Sequence, residues 1–205
     1  MTEKIDIRIN LVILGNSSVG KTSFILRYVQ QEYKNTYIPT VGIDFLIKEF
    51  ILPTGQKLKI YLYDTAGQEK FRAIAVNSIK LAEGIVLMYD ISKLETYELI
   101  ENWIKTIKDT TGVDFPVLLI GNKCDLINER IVEKKEGEEM AKKNGFLFFE
   151  TSNKNGINID ESISALISKI LQKREKNENK KDSNKENCFQ LNKKKETKAR
   201  VECNC

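Results

Sequence analysis

The sequence predicts a doubly wound α/β domain on a mainly parallel six-stranded sheet, with one antiparallel strand supplied by a hairpin. Three observations carry this expectation. Short apolar runs alternate along the chain with segments of helical period. Runs such as IVLMY (85–89) and VLLI (117–120) are uninterrupted, as suits strands covered on both faces of a parallel sheet. A PTGQ turn signal (53–56) joins two neighbouring strand segments directly.

Taken in order, the first strand is expected at Ile7–Leu14, where the apolar run reaches a glycine loop, and a helix follows over Lys21–Gln30. The hairpin comprises Phe45–Leu52 and Lys57–Tyr63. The pattern then alternates: strand Gly84–Asp90, helix Leu94–Thr110, strand Pro116–Gly121, helix Glu133–Asn144 and strand Phe146–Glu150. A last helix over Asn158–Leu171 repeats Ile159, Ile163, Leu166, Ile167 and Ile170 at the spacing that packs one face on a sheet.

Composition sets the organisation. A chain of 205 residues, 41% hydrophobic, can bury one sizeable core. From Lys173 onward there are eleven Lys and Arg against six Asp and Glu, so the whole positive excess of the +4 chain lies in that stretch. The segment KREKNENKKDSNKEN has too little apolar surface to offset its ordering entropy and is expected to be disordered. The reading is therefore one domain over 1–172 and a basic tail over 173–205. Four cysteines without regular spacing, and no secretory pattern in IDIRINLVILG, argue for a reducing compartment. No apolar run approaches the roughly 20 residues of a membrane span.

The chemistry begins at Gly15-Asn16-Ser17-Ser18-Val19-Gly20-Lys21-Thr22, which fits G-x-x-x-x-G-K-[ST] between a strand and a helix. Backbone N–H groups of Ser17, Ser18, Val19, Gly20, Lys21, Thr22 and Ser23 would form an anion cradle at a helix N-terminus. Lys21 would reach the terminal phosphates and the Thr22 hydroxyl would ligate Mg²⁺. The bland alternative is a glycine turn opening an ordinary helix.

In GNKCD (121–125), the Asp125 carboxylate can pair with two adjacent N–H donors, which guanine presents and adenine does not. Asn122 would buttress the loop and the Lys123 stem would cover the base, although N-K-x-D alone is a common polar turn. In YLYDTAGQEKFR (61–72), Asp64 can hold a water on Mg²⁺, the Gly67 N–H can meet a γ-phosphate, and Gln68 can orient the attacking water. The plain alternatives are a strand-end cap for Asp64 and an exposed amide for Gln68.

These three elements in this order resemble a Ras-superfamily small GTPase, and VGIDF, GQEKFRAI and the Cys-x-Cys ending resemble the Rab family. The likeness covers about residues 6–172 and the final cysteines, and GNSSVGKTSF, TVGIDF and NKCD look most like Rabs of regulated secretion. It implies a GTP/GDP-cycled switch with slow GTP hydrolysis, Mg²⁺ as cofactor and a catalytic set of Lys21, Thr40 and Gln68. Thr40 would contact Mg²⁺ and the γ-phosphate, Tyr33 would flank the base, and Tyr37 would close over the phosphates. Ser152, Asn153 and Lys154 of ETSNK would lie near the guanine edge.

The resemblance further implies effectors, an exchange factor, a GTPase-activating protein, a prenylation escort and a GDP-dissociation inhibitor. No arginine is evident for supply within the chain, so the activating protein would complete the site. Two geranylgeranyl groups on Cys203 and Cys205, aided by the basic KKKETKAR stretch, would hold a monomer on vesicle or organelle membranes, with a chaperone-bound cytosolic pool. No nucleic-acid partner is implied. Idle thiols, or adventitious metal binding, are the plain alternatives for the tail. Cys188 is either acylated or spare, and Cys124 is the variable position of the guanine loop.

Departures from the family pattern matter. Tyr63 stands where Trp is usual, NSIKLA (77–82) replaces paired tyrosines, and Asn153 replaces the common Ala. The aromatic trio expected on the effector surface becomes Phe45, Tyr63 and Ser78, which should alter partner choice. Two rival readings remain at this stage. One is a scaffold that holds nucleotide without cycling, and the other is a P-loop kinase or ATPase, disfavoured by N-K-x-D.

Overall fold

The computed structural model describes residues 7–33, 43–51, 55–65, 72–112 and 114–177. Six strands, Ile7–Gly15 (β1), Ile43–Ile51 (β2), Lys57–Thr65 (β3), Gly84–Asp90 (β4), Val117–Asn122 (β5) and Leu147–Thr151 (β6), form one sheet in the order β2-β3-β1-β4-β5-β6. Only β2 runs antiparallel, paired with β3 from Ile43↔Thr65 to Ile51↔Lys57. β1 lies between β3 and β4, and β4, β5 and β6 follow in parallel. This is the doubly wound sheet the sequence predicts. Every residue of β4 and β5 is buried, which is why these strands read as unbroken apolar runs.

The helices are Lys21–Gln30 (α1), Arg72–Leu81 (α2), Leu94–Glu98 (α3), Ile100–Thr111 (α4), Lys134–Asn144 (α5) and residues 159–177 (α6). Val12, Leu87 and Leu119 of the sheet share one apolar cluster with Ile79 of α2, Trp103 of α4 and Ala141 of α5. α1 packs on β1, β2 and β3 through Phe24, Ile25 and Tyr28. Lys48 fastens β2 there: its ammonium donates to the Tyr28 carbonyl at 2.6 Å and to Asp160 at 3.1 Å. Ile159, Ile163 and Leu166 are buried, as their spacing predicts. The chain divides into two units, Met1–Ile167 and Ser168–Cys205, and the sheet belongs to the first.

Three elements differ from expectation. α6 runs on to residue 177, so the first five residues of the segment expected to be disordered are helical. α2 is an additional helix. The segment expected as one helix from Leu94 is two, meeting at Leu99, whose backbone is still right-handed helical at φ −70° and ψ −10°. There the Trp103 N–H reaches the Leu99 carbonyl only at 3.4 Å, while the Thr96 hydroxyl ties the first segment to the Lys93 carbonyl at 2.8 Å.

Because five strands are parallel, β1, β3, β4, β5 and β6 all end on one edge of the sheet. Ligand sites of open α/β sheets form outside such carboxyl ends, where strand order reverses. Gly15, Asp64, Asp90, Asn122 and Thr151 therefore converge there from distant parts of the sequence.

Candidate functional site

The loop leaving β1 is shaped by glycine where no side chain fits. Gly15 has φ +139°, and a Cβ on it would sit 2.3 Å from the Met88 carbonyl oxygen of β4. Gly20, at φ +100°, caps α1, and a Cβ there would lie 2.5 Å from Asn122 Nδ2 and 2.8 Å from Asn153 Nδ2. Ser18 is also left-handed, at φ +62°. The backbone thus curls around a concavity at the start of a helix, the geometry that offers N–H groups to an anion.

Lys21 is buried and its ammonium donates to the carbonyls of Gly15 and Asn16, each at 2.8 Å. Burial lowers its pKa to about 8, against the opposing pull of the nearby Asp64 carboxylate. The Thr22 hydroxyl donates to Asp64 Oδ2 at 2.6 Å, joining the first turn of α1 to the end of β3. Two hard oxygen donors therefore meet beside the phosphate-type loop, a donor set that suits Mg²⁺ completed by phosphate and water.

The second half of the site lies at the ends of β5 and β6. Asn122, almost wholly buried, donates through Nδ2 to the Val19 carbonyl at 2.8 Å and accepts from the Thr151 hydroxyl at 3.0 Å. Lys123 is left-handed at φ +67°, and its ammonium pairs with the buried Asp90 at 2.6 Å. The Ser152 hydroxyl donates to Asp125 Oδ1, and the Asn153 amide donates to the Gly20 carbonyl at 2.9 Å. Arg130 braces this corner with a two-pronged ion pair to Glu150 at 2.6 and 2.9 Å. Cys124 packs against the apolar cluster, and burial pushes its thiol up.

Among the residues singled out from the sequence, the loop from Ser17 to Ser23, Asp64, Asn122, Lys123, Asp125, Ser152 and Asn153 all belong to this edge. Lys154 follows on the same loop and is exposed, as is Tyr33 just beyond α1. Tyr37, Thr40, Gly67, Gln68, Cys188, Cys203 and Cys205 lie outside the described residues. Of the expected effector trio, Phe45 is exposed and its ring centroid is 6.0 Å from that of Tyr63, whereas Ser78 is buried on α2. With Ser78 buried, Phe45 and Tyr63 are the two members of the expected trio that reach the surface.

Three partners escaped the sequence reading. Asp90 ends an apolar strand, Thr151 ends β6, and Trp103 donates its indole N–H to Asn16 Oδ1 at 3.2 Å. Asp90 alone carried a signal, a charge closing the run GIVLMY. A separate cleft of about 620 Å³ runs between α3–α4 and α5, lined by Tyr97, Ile104 and Met140 among others. None of the site residues named above lines it.

A six-stranded sheet carrying a P-loop, a hydroxyl–carboxylate pair beside it and an N-K-x-D loop defines a P-loop GTPase domain. The Ras family model matches residues 10–172. Ras-related protein Rab-13 of Bos taurus is 42% identical over 184 residues, covering 88% of this chain and 90% of its own. Ras-related protein Rab-3A of Homo sapiens is 39% identical over 171 residues, with 83% and 77% covered. Ras-related protein Rab-10 of Diplobatis ommata is 40% identical over 168 residues, with 82% and 84% covered. The chain belongs to the Rab family of Ras-superfamily small GTPases.

It is accordingly a GTP-hydrolysing enzyme of vesicle trafficking. Membership implies use of guanine nucleotide with Mg²⁺, regulators and effectors, and association with vesicle and organelle membranes. Among the described residues no helix is long and apolar enough to cross a membrane.

Proposed function

We propose that the loops at this edge operate as a nucleotide switch with the following division of labour. The backbone N–H groups of Ser17, Ser18, Val19, Gly20, Lys21, Thr22 and Ser23 cradle the phosphates, and the Lys21 ammonium exchanges its carbonyl partners for phosphate oxygens. Thr22, Asp64 and Thr40 hold Mg²⁺. When bound, the metal neutralises charge on the terminal phosphates. Asp125 pairs with the guanine N–H donors, the Lys123 stem covers the ring, and Asn122 keeps the base loop in register with the phosphate loop. Ser152, Asn153 and Lys154 border the guanine edge, while Tyr33 flanks the base and Tyr37 closes over the phosphates.

In hydrolysis, Gln68 orients a water in line with the γ-phosphorus. The new P–O bond forms as the bond to the β–γ bridging oxygen breaks, leaving GDP and inorganic phosphate. Lys21 and the loop N–H groups stabilise the charge that accumulates on that oxygen. With three phosphates present, Thr40 and the Gly67 N–H grip the outermost group, and its loss frees both segments. The observation supporting this reading is the Thr22–Asp64 hydrogen bond at the mouth of the loop that buries Lys21.

An activating protein supplies the missing arginine and, by resemblance to Rabs, a glutamine. An exchange factor reloads the site, and Phe45 with Tyr63 forms the effector face. The domain occupies 1–172, and 173–205 is a tether with geranylgeranyl groups on Cys203 and Cys205. A prenylation escort delivers the chain to lipidation, and a GDP-dissociation inhibitor maintains a cytosolic pool. Single-turnover hydrolysis of γ-labelled GTP tests the switch. A measurable rate that Gln68→Leu abolishes supports it, whereas nucleotide retained with no hydrolysis, even with activating proteins, leaves only a binder.

A further inference from the structure

We infer that Asn153 is a positioning residue whose side-chain amide couples the loop bordering the guanine edge to the phosphate loop. The inference rests on the nucleotide reading above and concerns a position where the family pattern usually has alanine. Asn153 is 5% exposed, and its Nδ2 donates to the Gly20 carbonyl at 2.9 Å. That carbonyl already accepts the first helical hydrogen bond of α1, from the Phe24 N–H at 2.9 Å. Asn153 thus grips the atom from which the helix starts, immediately before Lys21 and Thr22.

The neighbouring carbonyl of Val19 is held by Asn122 Nδ2 at 2.8 Å. Two consecutive carbonyls of one loop are therefore clamped by two amides, one from the end of β5 and one from the loop after β6. Both amide nitrogens press into the space that a Cβ on Gly20 would need, so the glycine and the two asparagines fit as a set. The orientation of the Asn153 amide follows from its partner: the reverse placement would set two acceptor oxygens face to face. Its own Oδ1 is buried with no hydrogen-bond partner among the described residues, so the donated bond is what favours asparagine here. An alanine would offer the nucleotide the same backbone N–H but would leave only the Asn122 half of this two-amide clamp.

The test uses the full chain with Mg²⁺ and compares GDP with GMP, both competing against a fluorescent GDP. GMP engages the base side with far less of the phosphate cradle. If the amide transmits position to that cradle, Asn153→Ala weakens GDP by about fivefold, the worth of one neutral hydrogen bond, while GMP changes by less than about twofold. Equal losses for both nucleotides mean that Asn153 only shapes the base pocket, and no loss for either means that the bond is idle. Each of those results overturns the inference. An unsubstituted chain that binds neither nucleotide defeats the nucleotide reading itself, a distinguishable failure. Should Asn153→Ala not fold, ¹⁵N spectra of the unsubstituted GDP complex decide. Slow hydrogen exchange of the Asn153 side-chain amide supports the clamp, and exchange at the rate of exposed amides refutes it.

Discussion

Lys123 Nζ lies 2.6 Å from Asp90 Oδ2, an ion pair between a left-handed loop residue and a carboxylate with no solvent exposure. The other carboxylate oxygen accepts from the Ser92 N–H at 3.0 Å and the Ser92 hydroxyl at 2.7 Å. β4 thereby aims a guanine-loop side chain. Asp90→Asn keeps an acceptor for Ser92 but replaces the oxygen facing Lys123 with an N–H donor, so both the charge and the acceptor of the ion pair are lost. The Lys123 side chain is 32% exposed, so its ammonium can turn toward water. The stability loss should therefore be about 1–3 kcal/mol, below the 3–5 typical when a buried ion loses its partner. GDP release should quicken roughly tenfold, about 1.4 kcal/mol, because the stem over the base loses its anchor. Urea unfolding with saturating nucleotide and release of a fluorescent GDP measure the two effects. A stability loss with unchanged release would reject the aiming role.

Asn122 joins three loops that are far apart in sequence, through Val19 on one side and Thr151 on the other. Asn122→Ala leaves a buried carbonyl and a buried hydroxyl without partners. The cost should be about 2–4 kcal/mol, most of it in the nucleotide complex, where all three loops must be in register. Thermal melts with and without GDP separate the parts. A variant that loses stability equally in both states would show that Asn122 serves the fold alone.

The glycines of the site should rank by what surrounds them. At Gly15 a methyl would meet a backbone carbonyl of the central sheet at 2.3 Å, and nothing there can move, so Gly15→Ala should not give a folded chain. At Gly20 the obstructions are two side-chain amides, which can withdraw only by abandoning Val19 and Gly20. Gly20→Ala should fold yet bind nucleotide weakly. Gly112, at φ +82° with open space around it, is the control. With ψ at 178° that backbone lies in a region essentially reserved for glycine, so alanine should cost about 1–3 kcal/mol of stability from strain alone, with nucleotide release unaltered. Circular dichroism and release kinetics on the three variants test the order.

This ranking shows where the sequence was legible. The phosphate loop could be read because its glycines, lysine and threonine are contiguous and flanked by a clear strand and helix. The guanine loop could be read for the same reason. The ties that hold the two together could not, since Asn122 to Val19 spans 103 positions and Asn153 to Gly20 spans 133. Asn153 even stood out as a departure, but only the meeting of β1 and β6 loops shows what its side chain touches. α2 escaped because Ile74, Val76, Ile79 and Leu81 follow no single period, and because Leu81 is 69% exposed. The interruption at Leu99 has no breaker residue to announce it. Ser78 was assigned to the surface by its place in a motif, whereas its burial is decided by the packing of α2.

The base preference offers the sharpest exchange of chemistry. Asp125 presents two acceptor oxygens, one of which also accepts from the Ser152 hydroxyl. Guanine matches them with N1–H and its 2-amino group, two donors side by side. Asp125→Asn turns one acceptor into a donor, so an N–H would face the 2-amino group across the pair. Xanthine keeps N1–H but carries a carbonyl at C2, which accepts what the carboxamide now donates. A site built to hydrogen-bond its ligand rejects a mismatched one strongly, and GDP affinity should fall by about a hundredfold or more. Xanthosine diphosphate should gain over the unsubstituted protein, and the Ser152 hydroxyl can still donate to the amide oxygen. Competition against a fluorescent nucleotide measures both. If both nucleotides weaken alike, Asp125 supports its loop rather than reading the base, and guanine specificity must come from the neighbouring loop at Ser152–Lys154.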